Sequence, residues 1–514
     1  MEPRDLIGGE WVSIGGENIR SHNPAHPDET VWRGSPVAAH VDEAVAAARR
    51  ALPEWSRFPI EKRIAALRAY QEIVKSRVDE IAMLICRETG KALWDSKGEA
   101  GILAGKVDIT LDEWEWGGRK RVTGFELDLG AGKRGVCSFR PHGVMAVVGP
   151  FNFPAHLPNG HIVPALMTGN TIVFKPSDKT PAVGQWLAGA YQEALDSVGA
   201  PKGVINLVHG AAAESVRLTT HAGIDGILFT GSWPVGRKIL EANLDNPGRI
   251  IALELGGNNP ALVMDDADLR QAAIECVRAA FVTTGQRCTC TRRVIVHERI
   301  ADRFIGVISK IASALVIGDP VDGVDGGAAF MGPIIREEAR EAVVRFQRDL
   351  VAGGGRVVLE AKKIGHPSGG HYVSPGIVRV GRFSLDQDPA HDCGCDMEVF
   401  GPILRVSACG SFEDGLEQVN ATRYGLAASV FTANPEHACA FMGGARAGCV
   451  NVNTGTAGAS GKLPFGGIGW SGNHRPAGAF SSDYCAYPVA SMVVEGGEAP
   501  ILPGMRFEES WVAD

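Results

Sequence analysis

Three things are scarce in this sequence. No apolar run approaches the roughly 18–20 residues that a membrane-spanning helix needs. Positive charge is not in excess: the 514-residue chain carries a formal net charge of −8, so no strong basic field exists to draw nucleic acid or anionic lipid. A dense disulfide framework is missing too. The eleven cysteines are odd in number and scattered from Cys86 to Cys485. Cys288/Cys290 and Cys393/Cys395 are C-x-C pairs, without the two-to-four-residue gap usual for zinc ligands, so no metal site is expected. Met1-Glu2-Pro3-Arg4-Asp5 leads into no apolar core of signal-peptide length. The expectation is a cytoplasmic protein in a reducing compartment, with no nucleic-acid or membrane partner.

What is present is ordinary for a globular chain. Apolar residues make up 45% and charged residues 21%, and the length suits two or three domains. Residues 1–40 read as loops and short edge strands. Helical spacing follows over 41–55, 61–76 and 78–89. Residues 121–143 mix β-branched and basic residues with glycine and read as strands projecting from a core. From Gly143 the texture becomes strand–turn–helix. Apolar strands are predicted at 144–148, 170–175, 203–208 and 226–230, with helices between them. Such alternation builds a parallel sheet covered on both faces. A second unit of the same kind begins after Leu255, with strands predicted at 292–297, 403–406 and 427–431. Ligands of these sheets bind beyond the strands' carboxyl ends.

The chemistry centres on Phe281-Val-Thr-Thr-Gly-Gln-Arg-Cys-Thr-Cys290. Cys288 is the candidate nucleophile, because a cysteine whose thiolate is stabilised is strongly nucleophilic. Upstream, Leu253-Glu254-Leu255-Gly256-Gly257-Asn258-Asn259-Pro260 sets one carboxylate in an apolar, Gly-rich segment. Desolvation there should raise the pKa of Glu254 toward that of a useful base. Taken alone, each feature is more often structural. Other motifs follow strands. Asn152, in Gly149-Pro-Phe-Asn-Phe-Pro154, carries an amide that suits a developing oxyanion. Lys175, Ser177 and Asp178 suit a ribose. Gly231, Ser232 and Gly236 open a helix whose N-terminus suits a phosphate, although this is not the G-x-G-x-x-G fingerprint. Glu398 and Phe400 suit a second ribose and a flat ring. Cys290 reads as a bystander or as a redox partner able to trap Cys288.

In chain order, Asn152, Lys175, Gly231 with Gly236, Glu254, Cys288, Glu398-Val-Phe-Gly-Pro402 and Pro464-Phe-Gly-Gly467 resemble the aldehyde dehydrogenase superfamily over nearly the whole chain. The resemblance implies an α/β fold: a Rossmann-like NAD domain over 1–122 and 144–255, and an α/β catalytic domain over 256–470. A β-strand oligomerisation arm over 123–143 and 480–497, and a tail over 498–514, complete it. It implies a homodimer or homotetramer using NAD, with NADP also admissible. The aldehyde would be oxidised to a carboxylate through a Cys288 thioester, with Asn152 at the oxyanion and Glu254 activating water. Segments such as Leu157–Leu166, Gly285–Cys290 and Ser471–Pro476 extend the likeness to members that act on a succinylated glutamate semialdehyde. Such a substrate carries two carboxylates, so its pocket needs cations, for which Arg287, Lys462, His474 and Arg475 are candidates. Arg287 reads equally as an anchor for the cysteine loop. Asp178 stands where the family usually has Glu, and Trp233-Pro234 also departs from the pattern. The alternatives are an aldehyde dehydrogenase of other or broad specificity, a CoA-acylating relative, and a non-enzymatic structural homologue.

Overall fold

Two seven-stranded sheets and a smaller three-stranded sheet organise the chain. The computed structural model describes every residue except 113–115, 131, 387–392, 495–498 and 514. In the first sheet, five parallel strands run in the order Ile250–Leu255, Gly226–Gly231, Val144–Val148, Thr171–Lys175 and Ile205–Leu207. Arg4–Ile7 and Glu10–Ser13 extend it antiparallel. Four of the five parallel strands are the predicted ones, shifted at their ends by a residue or two, and Ile250–Leu255 is absent from the sequence reading. Val144–Val148 and Thr171–Lys175 are buried at every position, which is why they read as continuous apolar runs rather than as alternation.

The helices Ala38–Trp55, Ile60–Ser76 and Val78–Thr89 form where the spacing places them. A fourth, Leu93–Leu111, is absent from the sequence reading. It holds Gly98, Gly101 and Gly105, and its buried residues point in several directions, so neither propensity nor amphipathic period reveals it.

After Leu255 the chain turns through 256–258 into Asn259–Val263, an interior strand of the second sheet. That sheet runs Arg356–Leu359, Gly376–Arg379, Ile403–Cys409, Thr291–His297, Asn259–Val263, Ala427–Phe431 and Cys449–Val452, parallel except for its first strand. The carboxyl edge of the first sheet therefore meets the amino edge of the second at this turn. The third sheet pairs Ala486–Val494, Lys133–Pro141 and Phe125–Asp128, all antiparallel. It exposes Phe125, Leu127, Met492 and Val494. The predicted arm starts too early at 480. Ser481, Ser482, Tyr484 and Cys485 are buried, and the strand begins only at Ala486. The arm's predicted end and the tail's first residue lie outside the described residues. Among the described residues no helix is long and apolar enough to cross a membrane.

Candidate active site

The helix Leu269–Phe281 ends in the short turn Val282–Gly285. Thr283 and Thr284 there take left-handed backbone angles, with φ of 53° and 55°, before Gly285 at 71°. Two β-branched residues in this region are strained, and the surroundings must hold them. Thr283 Oγ1 donates to Asp95 Oδ2 at 2.6 Å, and Thr284 Oγ1 donates to the Gly332 carbonyl at 2.8 Å. Arg287 completes the clamp, donating to Thr283 Oγ1 at 2.7 Å and to Asp95 Oδ1 at 2.6 Å. Buried Arg292 donates to the carbonyls of Gly285 and Arg287. Asn259 donates to the carbonyls of Cys288 and Cys290 at 2.8 and 2.9 Å. The reversal of the chain thus presents Cys288 on a rigid loop.

Arg287 is accordingly an anchor, its guanidinium paired with Asp95, and it also lines the cavity that opens on Cys288. Truncating Asp95 would strand that charge. Asp95→Ala should lower the unfolding free energy by about 3 kcal/mol, read from urea denaturation midpoints, because removing one partner of a largely buried pair leaves the other uncompensated. Asn259 was also missed as a functional residue. Its only signal was its place in the Gly-Gly-Asn-Asn-Pro run.

Glu254 lies near the carboxyl end of Ile250–Leu255 and is 1% exposed. Cys288 Sγ donates to Glu254 Oε1 across 3.6 Å. Burial pushes the Glu254 carboxyl up to about 7; hydrogen bonds from Cys288 and Thr230 work against this, and the charge of Glu398 adds to it. Burial likewise holds the Cys288 thiol well above its usual range, and the charges of Glu254 and Glu398 reinforce it. The arrangement is therefore a thiol with a base at its side. Cys290 is fully buried, and its thiol meets the Val282 carbonyl at 3.8 Å.

The strand that carries Glu254 lies at the edge of its sheet, and a distant segment covers that edge. Gly472 pairs with Glu254 in an antiparallel bridge. Asn473 accepts from the Leu253 amide at 2.8 Å and donates to the Ile251 carbonyl at 3.0 Å. Ser471 Oγ donates to the Gly256 carbonyl at 2.6 Å. Gly472 has φ of 123°, and a Cβ there would come within 2.1 Å of the Leu253 carbonyl oxygen, so only glycine fits.

Asn152 is 5% exposed and follows the strand Val144–Val148. Its amide donates to the Gln286 carbonyl at 3.0 Å, which fixes it beside the cysteine loop with a second N–H still to give.

The residues read as cofactor contacts gather mainly at the carboxyl edge of the first sheet. Lys175 is 3% exposed, donates to the Pro176 carbonyl at 2.8 Å, and has no ion-pair partner among the described residues. Burial lowers its pKa to about 8. An ammonium has three donors, so it has hydrogen bonds left to offer a ribose. Ser177 Oγ accepts from the Lys179 amide, and Asp178 pairs with Lys179 at 3.0 Å. Ser232 caps the helix Trp233–Glu241 without a side-chain cap bond, which leaves its hydroxyl open to a phosphate. Gly231 and Gly236 also have packing reasons. A Cβ at Gly231 would meet the Phe229 ring at 2.4 Å, and one at Gly236 would meet Leu255 at 2.9 Å. Glu398 accepts from the Gly257 amide at 2.9 Å, with burial raising its carboxyl to about 7 against the pull of Arg292. Phe400 lies 6.1 Å from Phe151, ring to ring. A buried unpaired ammonium, an open helix start and a carboxylate across the crevice fit a dinucleotide with two riboses and a pyrophosphate.

A cavity of about 470 Å³ opens on Cys288. Lys462, His474 and Arg475 are not among its lining residues. Arg475 donates instead to the Gly467 carbonyl at 2.6 Å, and His474 and Lys462 are exposed. These three therefore lie off the lining of this cavity. Among the described residues no cluster could hold a metal ion.

The comparisons agree with this geometry. The model of the aldehyde dehydrogenase family matches residues 11–487. N-succinylglutamate 5-semialdehyde dehydrogenase of Sphingopyxis alaskensis is 41% identical, with 96% of this chain and 98% of that protein covered. N-succinylglutamate 5-semialdehyde dehydrogenase 2 of Caulobacter vibrioides is 44% identical, with 95% of each covered. Among solved structures, PnpE from Pseudomonas sp. WBC-3, crystallised with nicotinamide adenine dinucleotide, superposes with a TM-score of 0.87 at 31% identity, covering 97% of this chain and 99% of that one. By this family match and these near-full-length relatives, the chain belongs to the aldehyde dehydrogenase family.

Proposed function

We propose that this enzyme oxidises N-succinylglutamate 5-semialdehyde to N-succinylglutamate, with Cys288 as nucleophile and Glu254 as base. The observation that carries the chemistry is the 3.6 Å contact between Cys288 Sγ and Glu254 Oε1. The two relatives' names and their near-full coverage support the substrate. Lys175, Ser177, Asp178, Ser232 and Glu398 would hold the cofactor. When bound, a nicotinamide dinucleotide supplies the hydride acceptor and a positively charged ring.

The chain's own residues do the rest. Glu254 takes the thiol proton as sulfur bonds to the aldehyde carbon. The oxygen that gains the electron pair lies at the free N–H of Asn152. Hydride leaves the carbon, and an acyl thioester remains on Cys288. Glu254, having passed its proton to solvent, takes one from water. That water attacks the thioester, the C–S bond breaks, and the acid departs. Glu254 thereby favours hydrolysis over transfer to a thiol such as CoA, which needs no water-activating base. Asn152→Ala should lower kcat by roughly 10²–10³-fold with little change in KM, because it removes one oxyanion donor.

The test of the substrate is kcat/KM for N-succinylglutamate 5-semialdehyde against a panel of simple aldehydes, with NAD and NADP in turn. Equal efficiency across the panel would favour a broad-specificity enzyme. The arm strands support a homo-oligomer: Phe125, Leu127, Met492 and Val494 leave apolar surface on the outer sheet for a second copy to cover.

A further inference from the structure

The cavity at Cys288 has a wall that the mechanism does not use. The helix Leu93–Leu111 contributes Gly101, Ile102, Gly105, Lys106 and Ile109 to it. Added Cβ atoms at Gly101 and Gly105 would meet nothing within 4 Å, and the same holds for Gly160 on the facing helix. Glycine inside a helix costs about 1 kcal/mol relative to alanine. Here no crowding forces it, so the bare backbone serves to keep the cavity wide. Lys106 sits in that wall at 4% exposure. Its ammonium donates to the Gly478 carbonyl at 2.8 Å and to Ser481 Oγ at 2.5 Å, and no carboxylate pairs with it among the described residues. One donor remains. In the same wall His156 Nδ1 is buried without a hydrogen-bond partner. Burial and the nearby lysines depress the pKa of this imidazole to about 4, so it is neutral and can offer an N–H.

A buried ammonium without a counter-ion is costly: burial lowers the Lys106 pKa to about 7, and an anionic ligand would favour its charged form. We propose that Lys106, with His156 beside it, is the specificity-determining site for a carboxylate of the substrate, and that Gly101, Gly105 and Gly160 make room for the acyl chain carrying it. This deepens and rests on the function proposed above, and it adds Lys106 to the cations expected from the sequence.

Kinetics with N-succinylglutamate 5-semialdehyde and with hexanal would be compared for the wild type, Lys106→Met and Lys106→Arg. The ratio of the two kcat/KM values should fall about 10–100-fold in Lys106→Met, the range expected for one charged hydrogen bond, and should partly recover in Lys106→Arg. An unchanged ratio, or an equal loss on both aldehydes, overturns the proposal. Calorimetric binding of N-succinylglutamate needs no turnover and separates the two readings. If Lys106→Met binds it as tightly as the wild type, the carboxylate site fails while aldehyde oxidation stands. If the wild type does not oxidise the semialdehyde yet binds N-succinylglutamate through Lys106, the substrate reading fails and the anion site stands. Should Lys106→Met not fold, Gly101→Leu provides a second route. It should depress the long acidic aldehyde at least about tenfold relative to propanal, since a methylene-scale misfit already costs that much. An unchanged ratio would sink the proposal.

Discussion

Cys288→Ala should abolish reduced-nicotinamide formation, lowering kcat by roughly 10⁴-fold or more, because no other group can form the covalent intermediate. Cys290 does not substitute. It is sealed in the core against the Val282 carbonyl, and its thiol is also raised by burial. The measurement is the absorbance of the reduced cofactor under saturating aldehyde, alongside circular dichroism to verify folding. The cavity-facing thiol is not part of a core cluster, so the variant should keep its melting temperature within a few degrees. Residual turnover within tenfold of the wild type would remove Cys288 from its role.

Glu254→Gln should divide the reaction in two. Glutamine keeps the shape but cannot accept a proton. A burst of reduced cofactor stoichiometric with enzyme should still appear, more slowly, because the thiol has lost its 3.6 Å acceptor. Steady-state turnover should then fall roughly 10²–10⁴-fold as the thioester waits for water. The pH profile supplies an independent check. The Glu254 carboxyl is raised to about 7, so the base is protonated and inactive below that pH and active above it. Wild-type kcat should therefore climb through pH 7, and the glutamine variant should lose that limb. Glu398, also raised to about 7, adds to the Glu254 shift through its charge, so the limb belongs to a coupled set rather than to one residue. A normal steady-state rate in the variant would point to a different base.

Glu254 and Cys288, which the fold brings into contact, stand out in the sequence because each sits in a local, unusual setting: a carboxylate among leucines and glycines, and a cysteine after Gly-Gln-Arg. The parallel strands were legible because burial on both faces leaves continuous apolar runs. The helical wall of the cavity did not stand out. Leu93–Leu111 has three glycines and no single apolar stripe, so nothing in its spacing announced a helix. Lys106, one lysine in a mixed stretch, gave no sign that it would be buried. Arg287 shows the converse. Its charge is visible in the sequence, but its partner Asp95 lies 192 residues away and only the fold brings them together. Gly231 and Gly236 show the same limit, since the neighbours they accommodate come from packing rather than from spacing.

The staple of Ser471–Asn473 on the Glu254 strand bears on how the enzyme is made. Leu253 and Asn473 are 220 residues apart, yet they share a hydrogen bond beside the base. While the chain emerges from the ribosome, both large sheets can be complete before that bond exists, because their last strand ends at Val452. A nascent or truncated product stopping short of Ser471 would hold Cys288 and a bare strand edge, but not a seated carboxylate. Competence should thus arrive late and abruptly, once the final few dozen residues are free to zip back.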